Sequence, residues 1–168
     1  CPYDTKTKTI CVEEPPIPKF ELDKLVGCAP FTPLISELSD ISKSCKIFRK
    51  WEVIYTSAHC VPNSGSYEFI DGTSNKSLIP KIKFNSSGNY TIRLKLANTC
   101  DTVWYDQQIK VIGLPIVSIP SIDSICKNGT VNPTVSVNPC ENTITGYSWT
   151  FNTGIPATST NQTPGAIT

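Results

Sequence analysis

Eight cysteines, at positions 1, 11, 28, 45, 60, 100, 126 and 140, are the residues with the most evident chemistry. No two of them form a CxxC pair, and His59 is the sole histidine. The close spacing of thiolates or imidazoles that zinc requires is therefore missing. Cysteines scattered this widely fit disulfides made in an oxidising compartment. His59 beside Cys60 is the one pairing of a base with a nucleophile. Adjacent residues on a strand point to opposite faces, and an exported cysteine is ordinarily oxidised, so no catalytic dyad is expected there. Carboxylates are scattered, with Glu13-Glu14 in a proline-rich stretch and Asp101 and Asp106 on one candidate strand. None brackets a substrate at the spacing glycosidases use. Asp71-Gly72-Thr73-Ser74-Asn75 lacks the alternating carboxylates and distal glutamate of a calcium loop and reads as a turn. The chain is read as neither an enzyme nor a holder of metal or cofactor.

Composition narrows the class further. A net charge of +1 with 17% charged residues provides no electrostatic footprint for nucleic acid or an anionic membrane. No apolar run approaches the roughly 18 residues needed to span a bilayer, since Gly113 and Pro115 break the stretch from Val111 to Ile119. No methionine occurs, and the chain is expected to be a piece of a longer one.

The elements that must position these residues are strands. From Asn89 to Ala97, Tyr90, Ile92, Leu94 and Leu96 alternate with Thr91, Arg93 and Lys95. Lys81 to Phe84 alternates likewise, and Asn85-Ser86-Ser87-Gly88 between the two is a turn signal for a hairpin. Further strands are expected over Lys46 to Tyr55, Thr102 to Ile112, Pro115 to Ile119, Thr130 to Val137 and Thr145 to Phe151. Many short strands, turn-rich joints and no credible helix predict an all-β, Ig-like antiparallel β-sandwich.

An internal repeat organises the chain. Cys1 and Ile10 superpose on Cys100 and Ile109, and Val12 and Pro16-Ile17 superpose on Val111 and Pro115-Ile116, all 99 residues on. Cys28 matches Cys126 and Trp51 matches Trp149 at 98 residues, while Cys45 matches Cys140 at 95. That spacing is the length of one Ig-like sandwich, and it predicts tandem repeats. Residues 1–14 are expected to be the last strand of a preceding repeat, 15–113 a complete sandwich, and 114–168 the N-terminal half of the next. Pro15-Pro16 and Pro115 would make the joints short and stiff.

The stretch Gly27-Cys28-Ala29-Pro30-Phe31-Thr32-Pro33, the strand ending at Trp51, and Ser87 to Cys100 together resemble a PKD-like (polycystic kidney disease type) domain. Ile144 to Phe151, continuing through Gly154 to Thr160 and Pro164, is similar to PKD-like repeats of exported Bacteroidetes surface proteins, among them giant SprB-type gliding adhesins. The family's Trp-Asp-Phe-Gly-Asp-Gly signature is absent, with Trp51-Glu52-Val53-Ile54-Tyr55 and Trp149-Thr150-Phe151-Asn152-Thr153-Gly154 in its place. An irregular stretch from Ser57 to Ser77 has no counterpart in the second unit. The resemblance implies a structural or adhesive segment of a large protein on the outer surface of a bacterium. It would extend a binding tip or bear load. The alternative is a spacer or carbohydrate-binding module attached to a secreted hydrolase.

The repeat layout predicts a Cys45–Cys100 disulfide, with Cys28–Cys60 as second bridge and Cys11–Cys28 as its alternative. Cys1 and Cys140 would then lack partners within the chain. Trp51 and Trp149 are expected to fill cores. Trp104 falls on the polar face of its strand, where it packs across strands or contacts sugar or a neighbouring domain. Lys81, Lys83, Arg93 and Lys95 are expected to form a solvated basic stripe on one hairpin. Asp101-Thr102-Val103 and Asp123-Ser124-Ile125 match a three-residue O-glycosylation acceptor of the same bacterial proteins, with Thr102 and Ser124 as acceptors. Neighbouring repeats, surface polysaccharide and other cell-surface proteins are the expected partners.

Overall fold

The computed structural model describes residues 6–57, 65–122, 125–126, 128–140 and 142–168. The described chain is all-β, with twelve strands and no helix among the described residues. Eight strands lie between Phe20 and Ile112: β1 (Phe20–Leu22), β2 (Val26–Cys28), β3 (Ile35–Glu37), β4 (Phe48–Ser57), β5 (Tyr67–Phe69), β6 (Ile82–Phe84), β7 (Gly88–Ala97) and β8 (Thr102–Ile112). Four more follow: β9 (Ile116–Ser118), β10 (Ser136–Asn138), β11 (Trp149–Thr150) and β12 (Thr158–Ser159).

The strand that alternates most cleanly in sequence is the centre of the largest sheet. That sheet runs β2-β8-β7-β4, with β7 antiparallel to both β8 and β4 and β2 parallel to β8. Tyr90, Ile92, Leu94 and Leu96 point inward from β7 and are buried, joined by Trp51 from β4 and Ile109 and Val111 from β8. Each such side chain contributes about 1.5–3 kcal/mol of burial. Opposite them, β1 pairs with β3 and β5 with β6, and a reciprocal bridge joins Phe84 of β6 to Phe31 in the segment leading to β3. Phe20 of β1 stands edge-on to Trp51 and Tyr105, at 5.0 and 5.5 Å between ring centroids. The Trp51 indole donates to the Ser77 carbonyl at 3.0 Å. The Tyr90 hydroxyl donates to the Ser86 carbonyl at 2.7 Å, four residues upstream.

Two expectations fail here for one reason: a turn signal does not say which strands it pairs. Asn85 to Gly88 is not a hairpin turn, because β6 pairs with β5 and β7 with β4 and β8. Lys81 and Lys83 therefore sit on a different ribbon from Arg93 and Lys95, and no common stripe forms. Each cation has an acid instead: Lys81 with Asp71, Lys83 with Glu68, Arg93 with Asp106 and Lys95 with Glu52. The stretch read as irregular contains β5. It also contains a tight turn in which Thr73 N–H donates to Ile70 O and both Asp71 and Gly72 have positive φ, the pairing a type I′ turn demands. One cation is taken inside: Arg49 lies between the layers at 3.7 Å from the Glu37 carboxylate, with its Nε and one terminal nitrogen lacking hydrogen-bond partners.

Beyond Ile112 the packing thins. β9 pairs with β10 and β11 with β12, and Val131 bridges Ile167 reciprocally. None of β9–β12 shares a sheet with β1–β8. Trp149 is half-buried, its indole donating to Asn161 O at 2.9 Å. Pro115, Val117, Val137, Ile144 and Trp149 line an open apolar groove. No described helix is long and apolar enough to cross a membrane.

Candidate functional site: a disulfide-pinned joint

Residues 6–14 form no strand, and Ile10 and Val12 on either side of Cys11 are 79% and 87% exposed. The segment is nevertheless fastened. Pro16 is buried, and Ile17 exchanges backbone hydrogen bonds with Asp40 at 3.0 and 2.9 Å. Those bonds deliver Glu13 and Glu14 to the lip of the main sheet. Two loops meet there. One is the turn Ile41–Ser44 leading to Cys45 and Lys46, closed by Ser44 N–H to Ile41 O and by Asp40 capping Ser42. The other is the β7–β8 turn Asn98–Asp101, closed by Asn98 N–H to Asp101 O.

Glu13 is the hub between them. One carboxylate oxygen accepts the backbone N–H groups of Cys45 at 2.6 Å and Lys46 at 3.0 Å. The other accepts the Thr99 hydroxyl and, at 3.2 Å, the Thr99 N–H. The Thr99 hydroxyl, then the Lys46 N–H, outweigh desolvation and hold this carboxyl at about 2. Glu14 repeats the pattern at the edge. Its N–H donates to Lys43 O, its carboxylate takes a fork from the Lys43 ammonium at 2.8 and 2.9 Å, and its carbonyl accepts from Asn98 at 2.6 Å and Ser44 at 3.5 Å.

The cysteines gather at the same place, but not in the expected pairing. The bridge is Cys11–Cys45, spanning 34 residues. Cys100 is a free, exposed thiol whose Sγ donates to the Glu13 carbonyl at 3.3 Å. Cys45–Cys100 is therefore corrected to Cys11–Cys45. The repeat layout compares like positions between units, whereas the docked segment brings a third sulfur to the same loop. Cys28 is a free thiol, so neither Cys28–Cys60 nor Cys11–Cys28 forms; Cys60 itself lies outside the described residues. Cys140 was expected to lack a partner and is disulfide-bonded. Cys126 is free.

The second joint uses a lighter version of the same contact. The side-chain amide of Asn142 donates to the carbonyl of Gly113. Glu14 and Gly113 are 99 residues apart, and Ser44 and Asn142 are 98 apart, so the bond repeats that from Ser44 to Glu14 O. The Ile17–Asp40 bridge likewise recurs as the Ile116–Asn138 pair. Sequence reasoning singled out the prolines of these joints and passed over Glu13, whose acceptor role was visible only as a carboxylate next to a rigid linker.

Trp104 stands on the outer face of β8, 56% exposed, with the Arg93 guanidinium 5.5 Å from its ring centroid. Arg93 is held there by a two-bond fork to Asp106, both bonds 2.7 Å, which keeps the Asp106 carboxyl below its usual range. Thr102, one of the two candidate acceptors, is exposed at the start of β8, its N–H capped by Asp101. Ser124, the other, lies outside the described residues. No group of three or more acidic, histidine or cysteine side chains that could hold a metal ion occurs among the described residues. No family model, curated protein sequence or solved structure matches the chain.

Proposed function

We propose that this chain is a load-bearing repeat segment of a large exported surface protein, built from Ig-like sandwiches of the PKD-like kind in tandem. The observation that carries the reading is where force would pass. A pull on residues 6–10 reaches Cys45 through the disulfide, at the sheet end where Phe48 pairs with Ala97 and Ala97 with Thr102. The chain leaves at Ile112, beside the Gly88–Val111 pair at the opposite end of the same sheet. Load therefore runs along β4, β7 and β8 and shears their whole ladder at once, rather than unzipping it bond by bond.

Three further features support the sandwich. The ribbons β1-β3 and β6-β5, the latter bridged at Phe84 to Phe31 ahead of β3, packed on β2-β8-β7-β4, are the arrangement expected of an immunoglobulin-type sandwich. The Tyr90–Ser86 bond has the form of a tyrosine corner at the start of its strand. The joint contacts recur at 98 and 99 residues. The disulfide supports an oxidising, extracellular setting for such a segment.

Single-molecule pulling between residue 6 and Thr168, with Cys140→Ser so that Cys11–Cys45 is the described bridge in the path, tests this. The bridged protein should unfold at high force and extend about 120 Å less than the reduced one, at about 3.5 Å per locked residue. Equal, low unfolding forces with and without the bridge would sink the load-bearing reading. Trp104 favours a second reading, a carbohydrate-binding spacer beside a secreted enzyme. Binding on a glycan array that Trp104→Ala abolishes would carry it; a blank array for the intact protein would end it.

A further inference from the structure

Glu13 touches two cysteines that are not bonded to each other. Its carboxylate accepts the N–H of Cys45 and its carbonyl accepts the thiol of Cys100. Cys45 is already bonded to Cys11, two residues before Glu13. Three cysteines, carrying one bridge and one thiol, are thus gathered about a single residue. The main sheet adds an independent reason for closeness. β4 and β7 run antiparallel with Phe48 opposite Ala97, and Cys45 and Cys100 each lie three residues beyond that pair, on the same side.

We infer that this joint is a thiol–disulfide exchange site that switches between two bridges. In the forward step Cys100 loses its proton to solvent, and its thiolate attacks Sγ of Cys45 in line with the Cys45–Cys11 bond. The Cys100–Cys45 bond forms as Cys45–Cys11 breaks, and Cys11 leaves as a thiolate that takes up a proton. One disulfide is consumed and one made, so no outside oxidant or reductant is needed. The products differ in what they fasten. Cys11–Cys45 ties the preceding segment to the sheet by a covalent bond; Cys45–Cys100 ties the sheet to itself and leaves that segment held by hydrogen bonds and packing. Force along the chain stretches the first bridge and not the second, so load on the segment favours the exchange.

The test uses the whole chain with Cys28→Ser and Cys126→Ser, which removes the other described free thiols. Folded protein is held at rising pH without denaturant, acid-quenched, alkylated and mapped by mass spectrometry. A Cys45–Cys100 peptide should accumulate with an equal gain in alkylated Cys11. Its rate should rise with pH and be independent of protein concentration, and Cys100→Ser should reduce Cys11 alkylation to background. If Cys100 alkylates fully while Cys11 stays protected at every pH, the switch does not exist. Release of Cys11 that persists in Cys100→Ser, or that scales with concentration, overturns it equally. Near-UV circular dichroism of each variant separates loss of exchange from loss of fold.

Discussion

The two joints of this chain begin from the same contact and end in different strengths. At Gly113 one asparagine amide, two residues from the disulfide-bonded Cys140, grips one carbonyl. At Glu14 the corresponding grip is surrounded by a disulfide, a carboxylate with four donors and a lysine fork. The strands they lead to differ in the same sense. β4, β7 and β8 are ten or eleven residues long and close over a buried apolar core, whereas β9–β12 are two or three residues long and leave an apolar groove open. The heavier fastening thus coincides with the better-packed body.

The largest test of that contrast is in the cores. Leu94→Ala empties a fully buried site and should cost about 3 kcal/mol in chemical denaturation. Trp149→Ala, at a half-exposed ring, should cost about 1 kcal/mol, within the range of ordinary substitutions. Equal losses would mean that the second unit is as well packed as the first. Next come the fasteners. Cys11→Ser opens a closed loop of 34 residues and should cost about 3–4 kcal/mol in the chain-entropy model. Asn142→Ala removes one hydrogen bond and should cost about 1 kcal/mol. Midpoints from urea unfolding followed at Trp51 would separate them.

Acid provides the smallest and most selective probe. The Glu13 carboxyl sits at about 2 against an ordinary 4.5, so its contribution is complete above the ordinary value and fades as pH falls from there toward 2. Protection factors in hydrogen exchange, corrected for the intrinsic pH dependence, should fall at the Cys45, Lys46 and Thr99 amides over that window while those at Val131 and Ile167 hold. Glu13→Gln should show the lowered protection already at neutral pH. Unchanged protection at those three amides would show that the bridge alone holds the joint.

What could be read in advance follows the range over which each signal acts. The period-two pattern in β7 and β8 is a local steric fact, and those strands fall where the alternation of Tyr90 to Leu96 and Val103 to Val111 places them. The outward placement of Trp104 follows from the same alternation. β5 was missed because Tyr67-Glu68-Phe69 is too short to show a period and exists through its pairing with β6. β10 fills only the end of the stretch expected from Thr130 to Val137, since Pro133 removes a ladder donor in its middle. The disulfide was misassigned because it depends on where a strandless segment docks, and neither Ile10 nor Val12 marks a buried face. The Glu13 hub is a tertiary product of two turns, and its one local mark is a carboxylate beside a proline-rich linker.

The two fastenings also differ in the rotations they permit. Beside Gly113 the described grip is one amide-to-carbonyl bond and the Ile116–Asn138 pair, both made to one neighbouring stretch of chain. Glu13 is gripped from two sides, by the loop ahead of β4 and by the turn between β7 and β8, with Cys11 tethered to one of them. A twist of the incoming segment must then distort both loops together. If the chain bears load as proposed, the first joint would pass torque as well as tension into the sheet behind it.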